Sequence, residues 1–189
     1  MRAAPDGYLA APGMNVTRAA HTAVGNVTGF QDAFDALMGE LDYSMLIVTA
    51  ASGPQRAGCL VGFATQCSIE PRRFLVCLSD KNRTLRVATR AGALVVHLPT
   101  TAMPGLVELF GGETGDDIDK FARCAWHPGP RGLPILDGCP RWFAGDVVAR
   151  RPLGDHTAFV LAPFAAESGA GGEGFPFQRA KRVSPGHEP

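Results

Sequence analysis

The sequence predicts a mainly β protein, an antiparallel barrel with short helices at its margins. Three observations carry this. Runs rich in Val, Ile, Leu and Phe recur at hairpin spacing, bounded by Gly, Pro, Asn and Asp clusters. Only short helical stretches lie between them, too short for the crossovers of a parallel wound sheet. No Gly-x-Gly-x-x-Gly turn leads from an expected strand into an expected helix, so a Rossmann dinucleotide unit is not expected.

The elements follow in chain order. Residues 1–25, with Pro5, Gly7, Pro12 and Gly13, are expected to form a flexible extension, and they lack the apolar core of a secretory signal. Thr28-Gly29-Phe30-Gln31 has capping-box spacing. Behind it Phe30, Phe34, Leu37, Met38 and Leu41 repeat at helical intervals, which predicts an amphipathic helix over 30–40. Residues 44–51, with Ile47, Val48 and Thr49, form a strand, and Ser52-Gly53-Pro54 turns it into a second one near Gly58. That strand is expected to continue to Ile69 and to turn at Glu70-Pro71 into a third, 73–79.

A short helix over 84–90 stops at Gly92, a strand over 93–98 ends at Pro99, and a helix over 103–110 closes at Gly111-Gly112. Residues 116–121 read as an acidic turn, and 124–140 as a meandering loop with one short strand. Two long strands, 141–151 and 156–165, flank Pro152-Leu153-Gly154-Asp155 as a hairpin. From 168 to 189 glycine, proline and charge dominate, so a disordered tail is expected, leaving one domain over 26–167.

Composition narrows the functional classes. The chain has 189 residues, 46% hydrophobic and 19% charged, an ordinary globular balance large enough for a real core. Lys and Arg total 18, as do Asp and Glu, so no basic surface for nucleic acid or an anionic membrane is expected. No apolar run reaches membrane-spanning length. The cysteines, at 59, 67, 77, 124 and 139, are odd in number and lack metal-finger spacing. They read as small hydrophobes in a reducing cytoplasm. The histidines also lack ligand spacing, so no metal is expected.

The chemistry concentrates in 58–84. Gly58, Gly62 and Ala64 leave one strand poor in bulk, which lets a flat group or another backbone approach; a bulge or barrel corner is the plain alternative. Directly after the next strand, Lys81, Asn82, Arg83 and Thr84 offer cations and a hydroxyl at a helix start, which suits a phosphate. The plain alternative is a capping Asn82 between solvated cations. A flat group with a phosphate tail is a mononucleotide cofactor, and FMN fits it best. His156, after the hairpin turn, is placed to supply a proton, orient a nicotinamide or contact a ring stack; the plain alternative is a partly exposed turn histidine, with Asp155 bonding the turn backbone. His97, inside an apolar strand, reads as a hydrogen-bonded core residue. Glu113, Asp116, Asp117 and Asp119 read as a solvated loop, while Phe121 and Trp126 suit either a ligand cover or packing.

The order of four segments resembles the flavin reductase-like family over residues 40–165. They are Leu46-Ile47-Val48-Thr49-Ala50 leading through Gly53 to Gly58; Phe63 to Pro71 with its Ser68-Ile69-Glu70-Pro71 exit; Val76 to Thr84; and Leu153-Gly154-Asp155-His156. Lys120-Phe121 ahead of Gly132-Leu133-Pro134 adds to the likeness. The resemblance implies an FMN-binding split β-barrel of Greek-key type with short flanking helices, and a homodimer. It implies an NAD(P)H-dependent flavin reductase that supplies a partner monooxygenase, with FMN or FAD as flavin and NADH or NADPH as donor.

By the same likeness Cys59, Leu60, Val61, Gly62, Phe63 and Ala64 line the ring. Thr65, Lys81, Asn82, Arg83 and Thr84 meet the phosphate side, and His156, with Asp155 and Phe121, faces the nicotinamide or substrate. Two departures stand out. Leu60 to Phe63 replace the family's small polar residues, and Arg72 replaces the second proline of the exit. An electron carrier without a nicotinamide site, or a barrel holding a deazaflavin or haem, is the alternative.

Overall fold

The apolar runs of the sequence become the strands of one antiparallel sheet, described for residues 27–186 in a computed structural model. In chain order the elements are α1 (Val27–Glu40), β1 (Leu46–Ser52), β2 (Gln55–Val61), β3 (Ala64–Ser68), β4 (Arg73–Ser79), α2 (Arg83–Ala88) and β5 (Ala93–His97). Then come α3 (Pro104–Gly112), β6 (Trp126–Pro128), β7 (Pro134–Leu136), β8 (Arg141–Pro152), β9 (His156–Ser168) and α4 (Phe177–Ala180). Seven strands lie in the order β2-β1-β5-β8-β9-β4-β3, and β6 and β7 pair separately. The extension expected over 1–25 lies outside the described residues. Among those residues, no helix is long and apolar enough to cross a membrane.

β1 explains the architecture. Its residues from Leu46 to Ala50 are all buried, a continuous run rather than an alternation, because both of its faces are covered. Val48 pairs with Cys59 of β2 on one side and Val96 of β5 on the other. On one face Val48 and Ala50 join Cys59, Val61, Val76, Leu78, Leu94, Val96, Phe159 and Leu161, with Val87 and Ala88 of α2. Residues from β2, near one end of the strand order, and β4, near the other, share this cluster, so the sheet curls around it. Among the described residues no ladder joins β2 to β3. On the opposite face Ile47 meets Phe110, Phe121, Leu136 and Cys139. All five thiols are free.

Three expectations are corrected. The single strand expected over 58–69 is two, β2 and β3, which lie at opposite ends of the sheet order. The chain breaks at Gly62-Phe63, where the Ala64 N–H donates to the Gly62 carbonyl at 3.0 Å and the Phe63 carbonyl accepts from Cys77 N–H at 2.9 Å. The loop over 124–140 holds two strands rather than one, with Trp126 opposite Leu136. The tail expected to be disordered is ordered through residue 186: Phe175 is 2% exposed, and Met45 N–H donates to its carbonyl at 2.7 Å. Polar composition set that expectation, whereas Phe175 and Ala180 anchor the segment in a cluster with Met45 and Val107.

α1, described by itself, starts at Val27, so Thr28 stands inside the helix rather than before it. Phe30, Phe34, Leu37 and Met38, on its apolar face, are all exposed.

Candidate functional site

The break between β2 and β3 opens a cavity of about 290 Å³. Cys59 to Phe63 form one side, Cys77 to Ser79 and Asn82 another, and His156 stands at the β9 start. Gly58 has a different use from a ligand slot. A Cβ there would stand 2.6 Å from Phe110 Cε1, so the flat group lying on this strand is the protein's own Phe110 ring. Gly62 does line the cavity, where a Cβ would come to 3.1 Å from the Tyr43 ring and 3.4 Å from Met45 Sδ.

The lining is apolar and aromatic with few polar groups: Ser79, Asn82, Glu113, His156 and Lys181. Ligand pockets have this character, and roughly 300 Å³ is their lower bound, room for one ring system rather than a whole dinucleotide. The residues therefore fit the ring of a flavin. Asn82 precedes α2, yet its side chain makes no capping bond. His156 lies against Phe63, with ring centroids 5.2 Å apart and tilted by 56°. Its Nδ1 is 2.8 Å from Asp155 Oδ1, and this bond, with the charge of His156, holds the exposed Asp155 carboxyl below its ordinary range.

The other expected site residues separate. Arg83, Thr84 and Phe121 line a second cavity of about 340 Å³, with Arg56, Gly58, Lys120 and the acidic residues Asp116, Asp117 and Asp119. Two of the acidic residues have structural partners: Asp116 pairs with Arg86, and Asp119 accepts the Phe121 N–H at 3.0 Å. Phe121 stacks edge-on with both Phe110 and Trp126. Ala64, Thr65, Lys81 and Asp155 line neither cavity, and the Thr65 hydroxyl donates to the Gln66 carbonyl at 3.3 Å.

Sequence reasoning missed Tyr43 and Phe177 as cavity walls, and Lys120 as a buried cation. The ammonium of Lys120 donates to the Phe110 carbonyl at 3.0 Å, and burial lowers its pKa despite the opposing influence of Cys59 and Glu113. Its place between Asp119 and Phe121 was visible, but nothing local marks it as buried.

Residues 38–182 match the profile of the flavin reductase like domain, and the chain belongs to this family. The match runs into the segment that follows β9 in the chain. FMN reductase (NADH) RutF of Stutzerimonas stutzeri is 30% identical over 141 residues, covering 73% of this chain and 80% of that protein. The 4-hydroxyphenylacetate 3-monooxygenase reductase component of Salmonella typhimurium is 25% identical over 134 residues, 70% of this chain and 76% of that one. Among solved structures, the NADH:FAD oxidoreductase of Streptomyces globisporus shares the fold with a TM-score of 0.73 at 19% identity, over 84% of this chain and 94% of that one.

Proposed function

We propose that this chain is an NADH-dependent FMN reductase with a split-barrel fold, handing reduced flavin to a partner monooxygenase. The observation that carries the reading is the ring-sized cavity at the β2–β3 break, where Gly62, Phe63, Asn82 and His156 converge. The names of the two relatives supply the nicotinamide and the oxygenase. When bound, a flavin supplies the hydride acceptor, so the protein's task is binding, orientation and water exclusion.

The backbone from Cys59 to Phe63, with Ala64 and Thr65 behind it, forms the ring edge. Asn82 marks the polar end, and Lys81, Arg83 and Thr84, which lie outside the ring cavity at the α2 start, hold a phosphate that reaches beyond it. His156, locked by Asp155 and resting on Phe63, fixes the open side where the nicotinamide docks. Phe121 acts through Phe110, against which it packs. The exposed apolar face of α1 supports a homodimer, and unpaired thiols suit a reducing cytoplasm. Light scattering is expected to give a dimer for the native protein and a monomer for Phe34→Asp combined with Leu37→Asp.

The deciding experiment mixes protein, FMN and NADH without oxygen. A reductase bleaches the flavin's visible band. A carrier, the reading favoured by the apolar Leu60 and Val61, holds the flavin but leaves the band intact until a chemical reductant is added. Arg83→Ala and Lys81→Ala are each expected to weaken FMN by about tenfold or more, the size of one charge-assisted bond, and riboflavin hardly at all. Equal losses for both flavins remove the phosphate role. His156→Ala is expected to slow reduction by about tenfold through lost orientation, with FMN affinity nearly unchanged. Single-turnover rates equal to wild type retire that role.

A further inference from the structure

The chain beyond β9 returns to the cavity and completes it. Phe177, Ala180, Lys181, Val183 and Pro185 line it together with Phe63 and His156, so a substantial part of the lining comes from this segment. It is fastened at both ends. Ser44 and Pro176 form an antiparallel bridge, Phe177 N–H donates to the Tyr43 carbonyl at 2.8 Å, and Gly186 N–H donates to the Gly111 carbonyl at 3.2 Å. Gln178 adds a bond from its side-chain amide to the Leu41 carbonyl at 2.6 Å. Between these fastenings the Phe177 ring stacks on Tyr43 at 4.7 Å with only 10° between planes. The ammonium of Lys181 also stands over the Phe177 ring, 5.7 Å from its centre.

Resting on the flavin reading above, we propose that Phe177, held by the C-terminal segment and stacked on Tyr43, is an affinity-determining wall of the ring cavity. The reasoning is one of area and shape. The cavity is only ring-sized, so its occupant meets both the Phe63–His156 pair and the Tyr43–Phe177 pair. Phe177 carries no charge, and the cation over its ring is Lys181 rather than Lys81 or Arg83. Its contribution therefore falls on the ring, and is shared by every ligand that contains the ring, with or without a phosphate.

The test measures affinity for FMN and for lumiflavin, the ring without its ribityl phosphate, by quenching of flavin fluorescence. Phe177→Ala is expected to weaken both ligands by the same factor, roughly three- to tenfold, the size of one aromatic contact. Phe177→Tyr is expected to restore both. Phe177→Leu keeps the apolar bulk under α4 but removes the stack, so it reports on the wall if the alanine variant folds poorly; about threefold is expected. A loss confined to FMN, or unchanged affinities for all three variants, overturns the wall. If the native protein binds neither ligand, the flavin reading fails and the wall with it. If it binds both and the variants match it, only the wall is lost.

Discussion

His97→Ala is expected to destabilise the fold strongly, costing about 3–5 kcal/mol. His97 is fully buried at the end of β5, and both ring nitrogens are engaged. Leu136 N–H donates to Nε2 at 3.1 Å, so the proton sits on Nδ1, which donates to the Ile47 carbonyl at 3.2 Å. One imidazole thus joins β1, β5 and β7. Alanine leaves a buried donor, a buried acceptor and a void, each with its own penalty, against a typical total stability of about 5–15 kcal/mol. A fall in melting temperature of roughly 10 °C is expected.

The same histidine makes stability depend on pH. Burial lowers its pKa from 6.5 to about 4, outweighing the Ile47 bond that favours the charged form. Below 6.5 the unfolded chain gains a proton that the native state refuses, so stability falls as pH drops from about 6.5 towards about 4, by as much as about 3 kcal/mol. Denaturant titrations across that window are expected to show a shallower slope for His97→Ala than for wild type. Parallel slopes would contradict the assignment of a neutral, buried imidazole.

Gly62→Leu is expected to abolish flavin binding while leaving the fold in place. Gly62 is absent from the positive-φ positions, so its backbone accepts a side chain. The first carbon meets Tyr43 at 3.1 Å, a contact that a small shift of that ring and of Met45 relieves. The remaining carbons then take space inside a cavity of only about 290 Å³. A ring system has nowhere else to go there, and a loss of about a hundredfold or more is expected, or roughly 2.7 kcal/mol. Fluorescence quenching by the variant at wild-type FMN concentrations would show that the ring binds elsewhere. Circular dichroism and melting temperature close to wild type distinguish a filled site from a lost fold.

Much of the sheet was legible because its cause is local. β1, β4, β5 and the β8–β9 hairpin each carry their own β-favouring run and their own turn. The break at Gly62-Phe63 was not legible, since Leu60, Val61 and Phe63 favour strand on both sides of it. Only the destinations differ, β1 for one half and β4 for the other. The β6–β7 pair was half hidden because Pro128, Pro130 and Pro134 mask a run as short as Ile135-Leu136. The C-terminal segment was misread because a few apolar residues in a glycine-rich stretch look like a tail until Met45 and Val107 are placed beside them.

At the site, the order of motifs brought Cys59 to Phe63, Asn82 and His156 to one cavity. The glycine at 58 was correctly read as a sign of close approach, but what approaches is Phe110. Tyr43 and Phe177 left no trace in the sequence, because their pairing depends on a chain return that no local pattern encodes.

A crystal structure of the protein soaked with FMN tests the central claim most directly. The account predicts the ring against Gly62, Phe63, His156 and Phe177, with the phosphate beyond Asn82 towards the α2 start. Ring density beside Arg56 and Lys120 instead, with the β2–β3 cavity filled by solvent, would contradict it.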